Sequence, residues 1–449
     1  MSSSTTVTDK KKDVIRLHEA LFYWLKLGFI SFGGPAGQIS MMHQELVEQR
    51  RWISEHRFLH ALNYTMVLPG PEAQQLATYI GWLLHGVKGG VIAGVLFVLP
   101  SLFILIALTW IYLVYGETEI VKGILYGVKP AVTAIVVFAA VRIGSRALKN
   151  NLLRAIALAA FIAIFTLHIP FPLIVVCAGA LGYLGSRVKP DLFSTSAHQA
   201  KEHESYGPAI IDDDTPVPAY AKFVWDRFIL FVLIGLAMWA CAMLLLVLNF
   251  GWGNTLTQIG WFFSKAALVT FGGAYAVLPY VYQGGVDHYQ WLTASQMIDG
   301  LALGETTPGP LIMIVTFVGF VGGWTKALFG MDMLPMAGVA GACIATFFTF
   351  LPSFLFIFIG GPIIEATRHE IQFTAPLLGI TAAVVGVILN LAVFFAYHVL
   401  WPQGFDGDFE WISLFIGITA FLALFKYKSN IVYVLLACAL LGWLFLQIA

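Results

Sequence analysis

Pro69-Gly70-Pro71 recurs as Pro308-Gly309-Pro310, 239 residues further along the chain. Ser31-Phe32-Gly33-Gly34-Pro35 recurs at the same offset as Thr270-Phe271-Gly272-Gly273-Ala274, and so do Lys26 as Lys265 and Trp52 as Trp291. Anchors that share one ungapped offset mark an internal repeat. Beyond them, Leu99-Pro100-Ser101 returns as Leu351-Pro352-Ser353 at an offset of 252, with the extra 13 residues falling around 325–337. Proline removes a helix donor and clashes with the preceding turn, while glycine admits positive φ. Each Pro-Gly-Pro and Phe-Gly-Gly is therefore predicted to break a helix, twice per half.

The surroundings of these breaks are apolar. Of 449 residues, 59% are hydrophobic and 11% charged, against about 25% charged in soluble domains. Mean hydropathy is +0.82. That balance excludes an ordinary soluble enzyme and a disordered regulator. The formal net charge of +0 offers no field to recruit a nucleic acid. Apolar segments cover 17–39, 58–84, 89–115, 120–141, 152–167 and 171–184, then 223–248, then 256–281, 292–321, 334–359, 373–396, 411–425 and 431–448. Six, one and six segments predict an all-α polytopic membrane protein. Its two inverted-topology repeats are joined by one linking helix, an arrangement typical of transporters with a midplane site. The expected divisions are a cytoplasmic tail (1–16), a first repeat (17–187), a polar linker (188–221), the linking helix (222–250) and a second repeat (251–449). Cys177, Cys241, Cys343 and Cys438 lie in apolar runs without metal or redox spacing. His198 and His203 read as solvated linker residues, and no signal peptide is evident.

Charge sets the expected orientation. Arg142, Arg146, Lys149 and Arg154 mark a cytoplasmic loop, and Lys10, Lys11, Lys12 and Arg16 place the N-terminus on the same side. The loops near Asn249 and Pro402 carry no Lys or Arg and read as external; Lys426 and Lys428 return to the cytoplasm, and the C-terminus lies outside. The first two segments of each half either cross or re-enter. If they cross, residues 41–57, with Arg50, Arg51 and Arg57, lie outside, and their mirror 282–291, with no Lys or Arg, lies inside. Re-entry exchanges the two loops and satisfies the rule in both halves. Residues 57–68 and 72–85 are also short, about 18–21 Å as helices against a core of about 30 Å. Re-entrant hairpins with about nine crossings are the preferred reading.

The candidate substrate site collects around the breaks. It comprises Lys26, Ser31, Gly33, Gly34, Pro69, Gly70, Pro71, Glu72, Gln74 and Gln75 in the first half. In the second half it comprises Lys265, Thr270, Gly272, Gly273, Glu305, Thr306, Thr307, Pro308, Gly309 and Pro310. A helix that starts after a break presents free N–H groups and a positive dipole end, which suits an anion. The alternative is a set of packing kinks and close small-residue contacts. Lys26 and Lys265 read either as counter-charges in the site or as interfacial anchors. Glu72 and Glu305 read as proton carriers or partners of the lysines; they break the repeat, their counterparts being Leu311 and Met66. Walker A, GxSxG and HExxH patterns are absent, so no enzyme, metal or cofactor is expected.

Residues 28–35 (GFISFGGP), Arg50-Arg51-Trp52, 68–71 (LPGP), 99–101 (LPS), 271–273 (FGG) and 304–310 (GETTPGP) resemble the chromate ion transporter family in its long, two-domain form. The resemblance covers the chain from about His18 onward. It implies a bacterial inner-membrane protein that exports chromate and confers resistance to it. Ala274 stands where the first half has Pro35, so equivalence of the half-sites is not implied. A sulfate or other oxyanion carrier, and a membrane-embedded enzyme acting on lipid phosphates, are the alternatives. The expected partners are an oxyanion and the lipid bilayer, with no nucleic acid; a homodimer is left open.

Overall fold

A computed structural model describes residues 15–32, 34–188, 206–216, 218–271, 273–366 and 374–448. The N-terminal lysines, His198, His203, Gly33 and Gly272 lie outside the described residues. Among those described, the regular elements are helical, apart from an isolated bridge between Ile53 and Ile211. In the first half they are α1 (Leu17–Ile30), α2 (Gly34–His43, continued by a π turn Gln44–Gln49), α3 (Glu55–Val67), α4 (Glu72–Tyr115), α5 (Glu119–Ala147), α6 (Asn151–Phe165) and α7 (Phe171–Val188). The linking helix is α8 (Trp225–Phe250). The second half runs α9 (Thr255–Val269), α10 (Ala274–Tyr282, with a π turn Gln283–His288), α11 (Ala294–Thr306), α12 (Ile314–Thr325), α13 (Leu334–Ala366), α14 (Thr374–Leu400), α15 (Trp411–Phe425) and α16 (Ile431–Ile448).

Local sequence sets the helix starts. Ser54 caps α3 by accepting the Arg57 amide, and Thr293 caps α11 through a reciprocal box with Gln296. Asn150 and Asn254 cap α6 and α9. The short helices do not run through. Past Ser31 the chain turns back along α1: Arg50 lies 3.5 Å from Glu19, Lys26 lies 3.6 Å from Glu45, and the Tyr23 and Trp52 rings stand 5.3 Å apart. Helix α4 also folds on itself. Its backbone leaves the helical region at His85 and Gly86, and Gly81, Gly89 and Gly94 let the two arms touch. The fold point meets the chain's other ends, His85 against the Ile15 carbonyl at 2.9 Å and Tyr220 donating to the Leu83 carbonyl at 2.7 Å. Both excursions thus return to the end from which they set out. In the second half Thr325 donates to the Trp291 carbonyl at 3.0 Å, closing the α11–α12 hairpin in the same way.

Among the described residues, six helices are long and apolar enough to cross a bilayer: α4, α5, α7, α8, α13 and α14. Of the nine crossings expected, the other three are shorter: α6 and α15 have 15 residues each, about 22 Å, and α16 is the third. A local thinning of the bilayer accommodates such lengths. Helices pack through small residues, as lipid-embedded helices do: Gly127 on the Cys438 carbonyl, Gly386 on that of Ala157, Gly319 on that of Gly341. Helix α8 is peripheral, with only Gly235 and Met243 buried. Long helices α4 and α13 pack on each other, and each carries the proline of its LPS motif inside the helix, Pro100 and Pro352.

Candidate substrate site at the crossed helix breaks

All four breaks form. Helix α1 stops at Ser31 and α2 starts at Gly34; α9 stops at Thr270 and α10 starts after Gly273. Helices α3 and α4 are separated by residues 68–71, and α11 and α12 by Thr307-Pro308-Gly309-Pro310 and one 3-10 turn. Gly70 and Gly309 have φ of 123° and 106°, backbone that side chains with a Cβ rarely adopt.

The breaks pair across the halves. The Gly70 amide donates to the Thr270 carbonyl at 2.7 Å, and the Gly309 amide to the Ser31 carbonyl at 2.9 Å. Each Pro-Gly-Pro of one half is therefore tied to the Phe-Gly-Gly of the other. The serines of the LPS motifs complete the pattern. A Cβ on Gly70 would stand 2.5 Å from Ser353 Oγ, and one on Gly309 2.8 Å from Ser101 Cβ. The Gly70 and Gly309 amides, which precede the helix starts, are thus spent on carbonyls. Pro69, Pro71, Pro308 and Pro310 shape the turns.

The two crossings differ in what remains available. Around the first-half start, Gly34 faces open space, with nothing within 4 Å of where a Cβ would be. Ser31 is fully buried, and its hydroxyl has no hydrogen-bond partner among the described residues. Gln38 donates to the carbonyls of Gly309 and Ser31 and leaves its own oxygen unpartnered. At the second-half start the equivalent groups are occupied. Thr270 turns its hydroxyl back to the Ala266 carbonyl at 2.6 Å. The Glu72 carboxyl lies beside Gly273, 3.8 Å from where its Cβ would stand, and Tyr275 donates to Glu305 at 2.6 Å. Two carboxyls thus gather around the start of α10, and the start of α2 has Leu311 and Met66 at the matching positions.

The remaining sequence candidates divide. Gln75 donates to the Pro69 carbonyl at 2.8 Å and Gln74 to Thr78 at 3.0 Å; both keep a buried, unpartnered oxygen, as Ser353 keeps an unpartnered hydroxyl. An amide presents either its oxygen or its NH2 after a half turn, and a serine hydroxyl donates freely, so these groups can serve an oxyanion. Thr306 and Thr307 spend their hydroxyls on carbonyls of α11. Lys26 and Lys265 are not brought to the crossing. Lys26 is 56% exposed and paired with Glu45, in a surface recess with Arg16, His18 and Arg50. Lys265 rests its ammonium 5.5 Å over the Trp261 ring, beside the recess of Tyr280 and Asp287. Neither Glu72 nor Glu305 pairs with a lysine within 4 Å among the described residues. Sequence reasoning missed Gln38, whose counterpart at the repeat offset is Val277, and it saw the LPS motif without assigning Ser101 and Ser353 to the site.

A bundle of long apolar helices around paired, discontinuous ones with unpartnered polar groups defines a multi-pass membrane transporter. The chain belongs to the chromate transporter family, whose model matches residues 18–183 and 257–443. It is 34% identical over 436 residues to a chromate transport protein of Pseudomonas aeruginosa, covering 94% of this chain and 90% of the relative. It is 29% identical over 381 residues to a chromate transport protein of Cupriavidus metallidurans, covering 85% and 82%. An uncharacterised transporter of Bacillus subtilis is 29% identical over 126 residues, which are 28% of this chain and 64% of that protein. No solved structure matches the fold.

Proposed function

We propose that the protein is a secondary transporter that moves chromate out of the cytoplasm across the bacterial inner membrane and so confers resistance. The N-terminus is cytoplasmic and the C-terminus external, with the two halves inverted. The basic residues support that orientation: Arg50, Arg51 and Arg57 lie on the first-half hairpins at the end to which these return, and the mirror segment 282–291 carries no Lys or Arg. The observation that carries the substrate reading is the asymmetric pair of crossings. One helix start is lined by carboxyls, which oppose an anion whenever they are ionised. The other is open, with the unpartnered Ser31 hydroxyl and Gln38 beside it. The oxyanion binds at Ser31 and the first turn of α2, where the dipole and free amides favour negative charge. The relatives' names supply chromate as the particular dianion.

Export needs no ATP. An inside-negative potential of about 100 mV contributes about 2.3 kcal/mol per charge, hence about 4.6 kcal/mol for a dianion. Counterflow of labelled chromate in proteoliposomes, with sulfate as competitor, tests the assignment. Ser31→Ala should weaken apparent chromate affinity at least about tenfold, the size of a hydrogen bond to a charged group. Thr270→Val, whose hydroxyl is already engaged, should change it little. Unchanged counterflow affinity in Ser31→Ala would remove this site, and equal uptake of sulfate would make the protein a general dianion carrier.

A further inference from the structure

An apolar slot of about 480 Å³ opens between α4, α8 and α13, lined among others by Val91, Val95, Phe231, Met238 and Phe347. Val91, Val95, Met238 and Phe347 are each at least 40% exposed along this slot. All three helices are long and apolar enough to cross a bilayer, so the slot faces acyl chains. One end of it is charged. Lys88 directly follows the lining residue Val87, and Arg227 precedes the lining Phe231 by one helical turn. Both cations are exposed, and neither has a carboxylate within 4 Å among the described residues. One short segment holds them together. Arg227 donates to the Ala219 carbonyl at 2.8 Å, while the next residue, Tyr220, donates to Leu83 and packs on Gly86, two positions before Lys88. Beside them Trp225 is 66% exposed, the place of an interfacial aromatic at headgroup level.

We propose that this slot binds an anionic glycerophospholipid, with its phosphate on Lys88 and Arg227 and one acyl chain along α4 and α8. The slot's inner wall gives the lipid a route to influence transport. Gly94 lines it, and a Cβ there would run into Phe354, Thr78 and Gln74. Phe354 also lines the slot, next in sequence to Ser353, so Gly94 puts the slot wall and Gln74 within one residue of each other. A chain seated in the slot holds the Phe354 ring in place.

The test uses full-length protein with Cys177, Cys241 and Cys438 changed to Ala, and an environment-sensitive fluorophore on Cys343, which lines the slot. Mixed micelles are titrated with dioleoyl phosphatidylglycerol, dioleoyl phosphatidylcholine or soluble glycerol phosphate. Phosphatidylglycerol should produce a saturable signal at lower concentration than phosphatidylcholine, and glycerol phosphate none. The double variant Lys88→Gln/Arg227→Gln should weaken phosphatidylglycerol by about thirtyfold, the equivalent of about 1 kcal/mol per cation. Lys88→Arg should retain most of the binding. Because a surface substitution can act indirectly, Val95→Trp, which fills the slot and leaves both cations, should displace the lipid independently, read by co-purified phosphatidylglycerol. Equal response to both lipids, a double variant that binds as wild type, or saturation by glycerol phosphate alone would each overturn the proposal. The measurement requires no chromate, so its outcome is separate from that of the transport assignment.

Discussion

Replacing Gly309 by alanine perturbs the crossing by one methyl group. Two costs arise. At φ 106° a residue with a Cβ is strained by about 1–3 kcal/mol. The methyl would also stand 2.8 Å from Ser101 Cβ, an atom that moves only with its backbone, so overpacking adds about 1–3 kcal/mol. Gly70→Ala carries the same strain, but its clash is with Ser353 Oγ and Gln75 Nε2, both at the ends of side chains. Gly309→Ala should therefore be the more damaging, lowering chromate flux in proteoliposomes by about a hundredfold or more against about tenfold for Gly70→Ala. A second substitution separates the terms. Ser101→Gly removes the opposing Cβ and should restore part of the flux of Gly309→Ala, leaving the φ strain. Ser353→Ala should do likewise for Gly70→Ala, less completely because it also deletes an unpartnered hydroxyl at the crossing. Flux normalised to inserted protein, with thermal unfolding in detergent alongside, gives both double-mutant cycles. Wild-type flux in Gly309→Ala, or additive losses in both cycles, would refute the tight crossing.

Cysteines at Gln49 and at its repeat mate His288, both exposed, should label from opposite faces of the membrane in a cysteine-free background, Gln49 from the cytoplasm; labelling from one face would end the inverted arrangement. Lys26→Gln should change chromate affinity less than about fivefold, since it removes an exposed pair with Glu45, and high salt should erase the difference. Arg57→Ala should lower stability by about 3–5 kcal/mol in unfolding assays. It removes the guanidinium from Glu365, which takes Arg57 at 2.7 Å and the Tyr79 hydroxyl at 2.6 Å in a buried position. Glu72→Gln and Glu305→Gln should abolish acceleration of chromate flux by a pH gradient while counterflow persists; flux that still follows the gradient in both variants would free these carboxyls of a proton role.

The sequence disclosed the breaks because a repeat displays itself at a constant offset. Gly70 and Gly309 are visible in that way, as are the short hairpins, whose lengths cannot span a bilayer. The offset relates a motif to its copy and never to its neighbour in space, so the pairing of Gly70 with Thr270 and of Gly309 with Ser31 was hidden. Gln38 was hidden for a different reason: its role rests on carbonyls 7 and 271 residues away, and Val277 gives the repeat no echo of it. Lys26 stayed open between a counter-charge and an interfacial anchor because an ionisable residue in an apolar run suits either. The chain's return along α1, which brings Glu45 beside it, depends on the break at Ser31.

The crossed amides also impose a schedule on synthesis. Gly70 must wait for its acceptor on Thr270, about 200 residues later, which a ribosome adding about 5–20 residues per second reaches after roughly 10–40 s. Throughout that interval a backbone donor sits at a helix break with no acceptor, a state costing several kcal/mol in hydrocarbon. The nascent first half therefore has to keep its break hydrated or sheltered until α9 arrives. A ribosome stalled in the linker would release a fragment that inserts yet carries an open wound in its backbone, the kind of product that membrane quality control removes.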